Sequence, residues 1–199
     1  MLIAALVVAA PVVAFVVYRM VRFPPDTDPE GAYMRVAYAI GRGSPEDAFA
    51  YLEEDAQHAG YTIGDYAEKA ALRIRQAYPE PERTHALERY GWALEHSDGP
   101  DVWARLAAER GWIGRLRRDL SGVDHVEVAG DRATVVTARG TRYPFRRRPN
   151  GIWGLTLFTV ELEAEAERLA RDWDRIQRSA DDYQREQKRA PPAVSASAP

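Results

Sequence analysis

The sequence predicts an α+β protein: an N-terminal membrane helix, a helical N-terminal half, a four-stranded antiparallel meander and a long C-terminal helix. Three observations carry this. Residues 122–158 are the one stretch that alternates apolar and polar side chains with a period of two, broken at Gly130-Asp131, Gly140-Thr141 and Pro149-Asn150-Gly151. Glycine and asparagine at those breaks tolerate the positive φ of a tight turn, so the stretch reads as hairpins. Before it, apolar residues recur at helical spacing between proline and glycine stops; after it, residues 159–189 contain neither glycine nor proline.

The first element is the apolar run of residues 2–18, uncharged throughout and ending at Tyr18, Arg19 and Arg22. About 17 residues at 1.5 Å each give roughly 25 Å, the short end of a bilayer span. No basic segment precedes the run and no small-x-small cleavage site follows it, so an uncleaved anchor over residues 1–23 is expected rather than a signal peptide. Arg19, Arg22 and Arg35 all lie C-terminal to the span. The expected location is therefore the bacterial inner membrane, single-pass, with a cytoplasmic domain favoured over a periplasmic one.

Phe23-Pro24-Pro25-Asp26-Thr27 supplies a stiff linker, set at residues 24–28, before one globular domain over 29–190. Asp28-Pro29 caps a helix whose face is Tyr33, Val36, Ala37 and Ile40, stopped by Gly41-Arg42-Gly43. Ser44-Pro45-Glu46-Asp47 combines a cap, a proline and an acidic first turn, so a second helix with Phe49, Leu52 and Ala56 is expected. A third is expected to start at Thr62, with Ile63, Ala67, Ala70, Ala71 and Ile74 inward. A fourth covers about 82–96, and a fifth runs from about 101 to 120 with Glu109 inside its apolar stripe. Gly111 and Gly114 are then mid-helix, where close packing of another element explains them.

In the sheet, Val126 and Val128 share one face and His125 and Glu127 the other. Tyr143, Phe145, Trp153, Leu155 and Leu157 are expected inward. Pro144, which has no N–H, is expected where that group would not face a partner strand. In the last helix Leu162, Ala166, Leu169, Trp173, Ile176, Ala180 and Tyr183 are spaced alternately by four and three, a heptad seam. The seam over 162–183 either packs within the chain or pairs with a protein partner or a second copy. Residues 191–199, rich in Ala, Pro and Ser, are expected to be a disordered tail.

The net charge of −3 disfavours a general nucleic-acid binder but hides an asymmetry. Residues 26–109 carry 8 basic and 17 acidic side chains, residues 110–148 carry 10 and 4. The basic segment either neutralises the acidic helices or forms a face, with Arg142, Arg146 and Arg148, for anionic lipid. The absence of cysteine removes disulfides, thiolate metal sites and a cysteine nucleophile. His58, His85, His96 and His125 are scattered, and no phosphate loop, dinucleotide fingerprint or serine elbow occurs. No catalytic, cofactor-binding or metal-ligating residue is therefore assigned, and no cofactor is expected.

Ala39-Ile40-Gly41-Arg42-Gly43-Ser44-Pro45-Glu46-Asp47-Ala48-Phe49, with the late Asn150-Gly151-Ile152-Trp153 hairpin, resembles membrane-anchored members of the nuclear-transport-factor-2-like (SnoaL-like) cone domains of unknown function. The resemblance covers about a third of the chain. It implies a cone-shaped α+β fold and at most a pocket between sheet and helices, to which Tyr143, Trp153 and Glu109 are the candidates; it carries over no catalytic residue. Three further helices before the sheet and a long one after it depart from that pattern. The function expected from all this is a membrane-tethered, non-enzymatic interaction or scaffolding domain of a bacterial envelope. The alternatives are a small-ligand-binding or enzymatic cone, and a basic sheet face docking on anionic lipid or nucleic acid.

Overall fold

The computed structural model describes residues 23–189. The membrane helix expected over 2–18 and the tail expected over 191–199 lie outside the described residues. Among the described residues no helix is long and apolar enough to cross a membrane. The described chain divides into two compact units of interleaved sequence: residues 23–54 with 107–157, and residues 55–106 with 158–189.

The first unit holds the sheet. Its strands, β1 (Val123–Ala129), β2 (Arg132–Thr137), β3 (Arg142–Arg147) and β4 (Trp153–Leu155), lie in sequence order, each antiparallel to the next. This is the expected meander. Gly130, Gly140 and Gly151 take φ of 65°, 78° and 85°, as the turn signals require. Among the described residues only glycines have positive φ, so Asn150 does not share the left-handed role expected of it; its side chain instead accepts from the Ile152 N–H at 3.1 Å.

Tyr143, Phe145, Trp153 and Leu155 are buried, as the alternation predicts. Val126 is half-buried, and Val128 on the same face is 59 % exposed. Gly154 is buried too, because a backbone approaches it: a Cβ there would lie 2.5 Å from the Glu53 Cα. Pro144 lies in a central strand, opposite Thr134. Its carbonyl accepts from the Thr156 N–H at 3.0 Å, just past the end of β4. Its nitrogen faces the same way, so the bond that would return to the Thr156 carbonyl is missing, and β4 ends at Leu155.

Helix α1 (Pro29–Arg42) lies against this sheet with Tyr33, Val36, Ala39 and Ile40 buried. Gly43, at φ 86°, ends it, and the Ser44 N–H reaches back to the Ala39 carbonyl at 3.0 Å. The next segment differs from expectation. Pro45–Tyr51 is a 3-10 helix, and Leu52 then turns extended to form a parallel bridge with Leu155, while the Glu53 N–H donates to the Leu155 carbonyl at 3.1 Å. Leu52 is thus buried at the sheet margin rather than on a helical stripe. Further along β4 the Trp153 N–H donates to the Asp26 carbonyl at 3.1 Å, and its indole to the Thr27 carbonyl at 2.9 Å. The outer edge of β4 is closed by chain on both sides of α1.

The second unit is helical. Helix α2 (Glu54–Ala77) starts eight residues before Thr62 and absorbs Gly60, correcting the expected boundary; its alanines, with Ile63 and Ile74, are buried. Helix α3 (Glu82–Tyr90) passes into a 3-10 turn, Gly91–Leu94. The expected fifth helix is broken at Gly111, φ 70°, into α4 (Gly99–Glu109) and α5 (Trp112–Asp119), and α5 belongs to the first unit. A Cβ at Gly111 or Gly114 would meet nothing within 4 Å, so close packing does not explain either glycine. Helix α6 (Thr159–Arg189) spans the expected residues. Leu162, Ala166, Leu169, Ile176 and Ala180 of its seam are buried, Trp173 and Tyr183 half-buried. Within the unit Tyr183 meets Tyr78, the residue after α2, edge-on at 5.0 Å, and Phe158 lies 5.3 Å from Trp103.

Candidate functional site

The residues expected to form a basic face are each engaged inside the first unit. Arg142 donates to both carboxylate oxygens of Glu127, at 3.2 and 2.5 Å. This bond, ahead of the weaker one from His125, holds the Glu127 carboxyl below its usual range. Arg146 donates to Glu53 at 3.3 Å, and Arg148 to the Ala50 carbonyl at 2.8 Å. Burial draws the Arg148 guanidinium below its ordinary value, opposed by Glu54 and Asp26. A guanidinium bonded to its own chain has to be released before it can take a lipid phosphate, so these three offer less to an anion than their number suggests.

The expected pocket residues separate. Tyr143 and Trp153 are 3 % and 4 % exposed and fill the core, while Glu109 is exposed at the C-terminal end of α4. The Tyr143 ring lies 5.2 Å from that of Tyr33, whose hydroxyl donates to the Ser121 carbonyl at 2.7 Å. Among the described residues the Tyr143 hydroxyl and Ser121 Oγ are buried with no hydrogen-bond partner. Burial, reinforced by Tyr33 and Asp119, pushes the Tyr143 phenol upward, so it stays protonated at neutral pH.

In the second unit the structure assembles a cluster that the sequence reading missed. Asp172 of α6, only 2 % exposed, accepts from the Tyr90 hydroxyl at 2.9 Å, Arg89 at 3.1 Å and Arg168 at 2.8 Å, and is also bonded by Arg175. Arg168 further grips Glu165, one heptad before Asp172. Burial raises the Asp172 carboxyl, but the Tyr90 and Arg175 bonds and the Arg89 and Arg168 charges outweigh it, and the net shift is downward. Tyr90 is pushed up to about 12 by burial and by its bond to Asp172. A carboxylate so saturated is a poor general base, and its phenol a poor acid. The cluster is a lock between α3 and α6. An open depression of about 300 Å³ beside it is lined by Arg168, Arg171, Asp172, Asp174, Arg175 and Arg178. The available signal was Glu165 and Asp172 seven apart, each with arginine three residues on.

The remaining feature is the margin of the sheet at β1. His125 sits between Asp124 at 2.8 Å and Glu127 at 3.4 Å, and these bonds raise its imidazole above the ordinary value. Ala129 and Arg132 close the two-residue Gly130-Asp131 turn as a bonded pair, and Glu127↔Thr134 and His125↔Val136 follow at every second residue. Val126 and Val128 therefore direct their N–H and C=O groups away from β2. Among the described residues no backbone group pairs with that edge. A bulge between Val123 and His125 limits the free edge on its N-terminal side.

Among the described residues no group of histidines and carboxylates is arranged to hold a metal ion. No protein-family model, curated protein or solved structure matches the chain.

Proposed function

We propose that this protein is a membrane-tethered, non-enzymatic interaction domain of a bacterial envelope, and that it engages its partner through the edge of β1. The observation that carries the reading is the outward-facing backbone of Val126 and Val128 beside the exposed Val128 side chain. An uncovered strand edge is a template for another strand, since main-chain bonds supply affinity and alternate side chains supply selectivity. The contrast with β4 supports it, because there Asp26 and Glu53 occupy the equivalent groups. The apolar run of residues 2–18, ending at Tyr18 and Arg19, supports the tether. The saturation of Asp172 and the Arg142–Glu127 pairing favour structural over catalytic roles for those charges.

A photo-crosslinking side chain placed at Val128 in the full chain, expressed in cells, tests the reading. Adducts of defined mass from position 128, but not from Glu163 on the exposed face of α6, support it. Absence of any adduct at 128, with the probe verified as intact, overturns it.

A second reading, a small-ligand cone of the kind the Asn150-Gly151-Ile152-Trp153 hairpin resembles, is favoured by one observation: the unpartnered Tyr143 and Ser121 hydroxyls. Removing an orphan hydroxyl is neutral or stabilising, whereas removing one that holds a bound molecule is costly. Tyr143→Phe separates the two. A melting temperature equal to or above that of the parent argues against the cone, and a clear loss argues for it.

A further inference from the structure

We infer that the partner of the β1 edge is a second copy of the same edge, paired antiparallel about a two-fold axis at Val126. The inference rests on the interaction reading and names its partner. The argument is one of register. Only Val126 and Val128, past the bulge, present outward N–H and C=O groups, so bonded pairs across the interface must use those residues or the bulge residue Asp124. Three two-fold registers make more than one bonded pair from these residues. Centring on His125 sets histidine against histidine. Centring on Glu127 sets two carboxylates face to face, which is unfavourable. Centring on Val126 sets each His125 opposite the Glu127 of the other copy, with Val126 against Val126 and Val128 opposite Asp124.

The side chains are placed for that third register. His125 and Glu127 lie exposed on one face of β1, and the hydrogen bonds to Asp124 and Glu127 favour the imidazolium. Arg142 fixes Glu127 from within its own sheet, so the carboxylate is held in place before a partner arrives. On the opposite face Val126 and Val128 lie in line with Val135 and Ala133, which are buried. The strip stops at the margin with Val128 uncovered, and Val126 of a second copy would continue it at its centre, with Asp124 opposite each Val128. A two-fold interface of this kind is self-complementary by construction. It is also small, so association of the free chain is expected to be weak, with confinement to a membrane raising the effective concentration.

Sedimentation equilibrium of the full chain in density-matched detergent tests this. The parent is expected to shift from one chain toward two as concentration rises. Val126→Pro removes an outward N–H while leaving the bonds to β2, and is expected to abolish the shift with the fold intact by circular dichroism. Glu127→Lys should weaken association on the order of tenfold, since two symmetry-related attractive pairs become repulsive. The double change His125→Glu with Glu127→Lys restores opposite charges and should recover it. A parent monomeric at every concentration, or a dimer indifferent to Val126→Pro, overturns the second-copy assignment. Val128 adducts with a different protein would also overturn it, while leaving the interaction reading standing.

Discussion

The two units handle their charges in opposite ways. In the sheet unit the arginines are bonded across long stretches of sequence: Arg146 to Glu53, Arg148 to Ala50, Arg117 to the Ile40 carbonyl. These bonds are part-buried or exposed, and each joins a strand or helix to a segment the sheet must keep in place. In the helical unit Arg168 and Arg175 gather at three and four residues' spacing along α6 around the buried Glu165 and Asp172, with Arg89 of α3 added over Asp172 and Arg73 of α2 reaching Asp181. The first arrangement positions chain segments; the second lets a helix carry aspartate into its own packed face. Neither leaves an ionised group waiting for a proton, and the β1 margin stands out because its backbone is the part left unpaired.

The largest expected effect lies in the sheet unit. Trp153→Ala removes a core side chain and the indole bond that ties down Thr27, and should cost about 3–5 kcal/mol. Hydrogen exchange should show the loss first in β3, β4 and residues 24–28; a cost under about 1 kcal/mol would mean Trp153 is not a core residue. Gly154→Ala should cost about 1–3 kcal/mol or more, because the added Cβ meets the Glu53 backbone. A neutral result in denaturant titration would show that residues 52–53 do not seal the β4 edge.

In the helical unit Asp172→Ala should cost about 1.5–3 kcal/mol, less than a fully buried ion pair, because Arg89 and Arg175 regain water while the Tyr90 hydroxyl does not. Its pH dependence follows in sign. The folded carboxyl lies below the ordinary aspartate value, so its contribution is present above that value, about 3.9, and is lost as pH falls through the lowered folded value. Acid titration of helicity should therefore be shallower for Asp172→Asn than for the parent below about pH 4. Parallel curves would mean Asp172 is not preferentially ionised in the fold. The smallest effect is expected at Arg142→Gln, whose pair with Glu127 is exposed at both ends: no measurable shift in melting temperature.

The parts of the fold legible in the sequence are those specified by local chemistry. Glycines at 130, 140 and 151 mark the turns by conformation alone, and the unbroken run after Thr159 marks α6. Residues 45–53 misled because their cap, proline and acidic first turn satisfy a 3-10 helix as well as an α-helix. What pulls Leu52 out straight is β4, a hundred residues away in sequence. The break at Gly111 was hidden because the apolar spacing continues across it. Asp172 was hidden for a different reason: arginines three and four residues away look like a solvated face until Tyr90 and Arg89 are brought over it. Of the candidate site, the alternation placed His125 and Glu127 on one exposed face. The free backbone beside them depends on strand order, which the meander implied without saying which edge would stay open.

The most direct measurement is amide hydrogen exchange at Val126 and Val128 in the full chain, followed against concentration. The account predicts rapid exchange when the chain is dilute and protection that grows as it is concentrated, with Glu127 and Thr134 protected throughout. Amides at 126 and 128 that are protected at infinite dilution, or that exchange freely at every concentration, would contradict it.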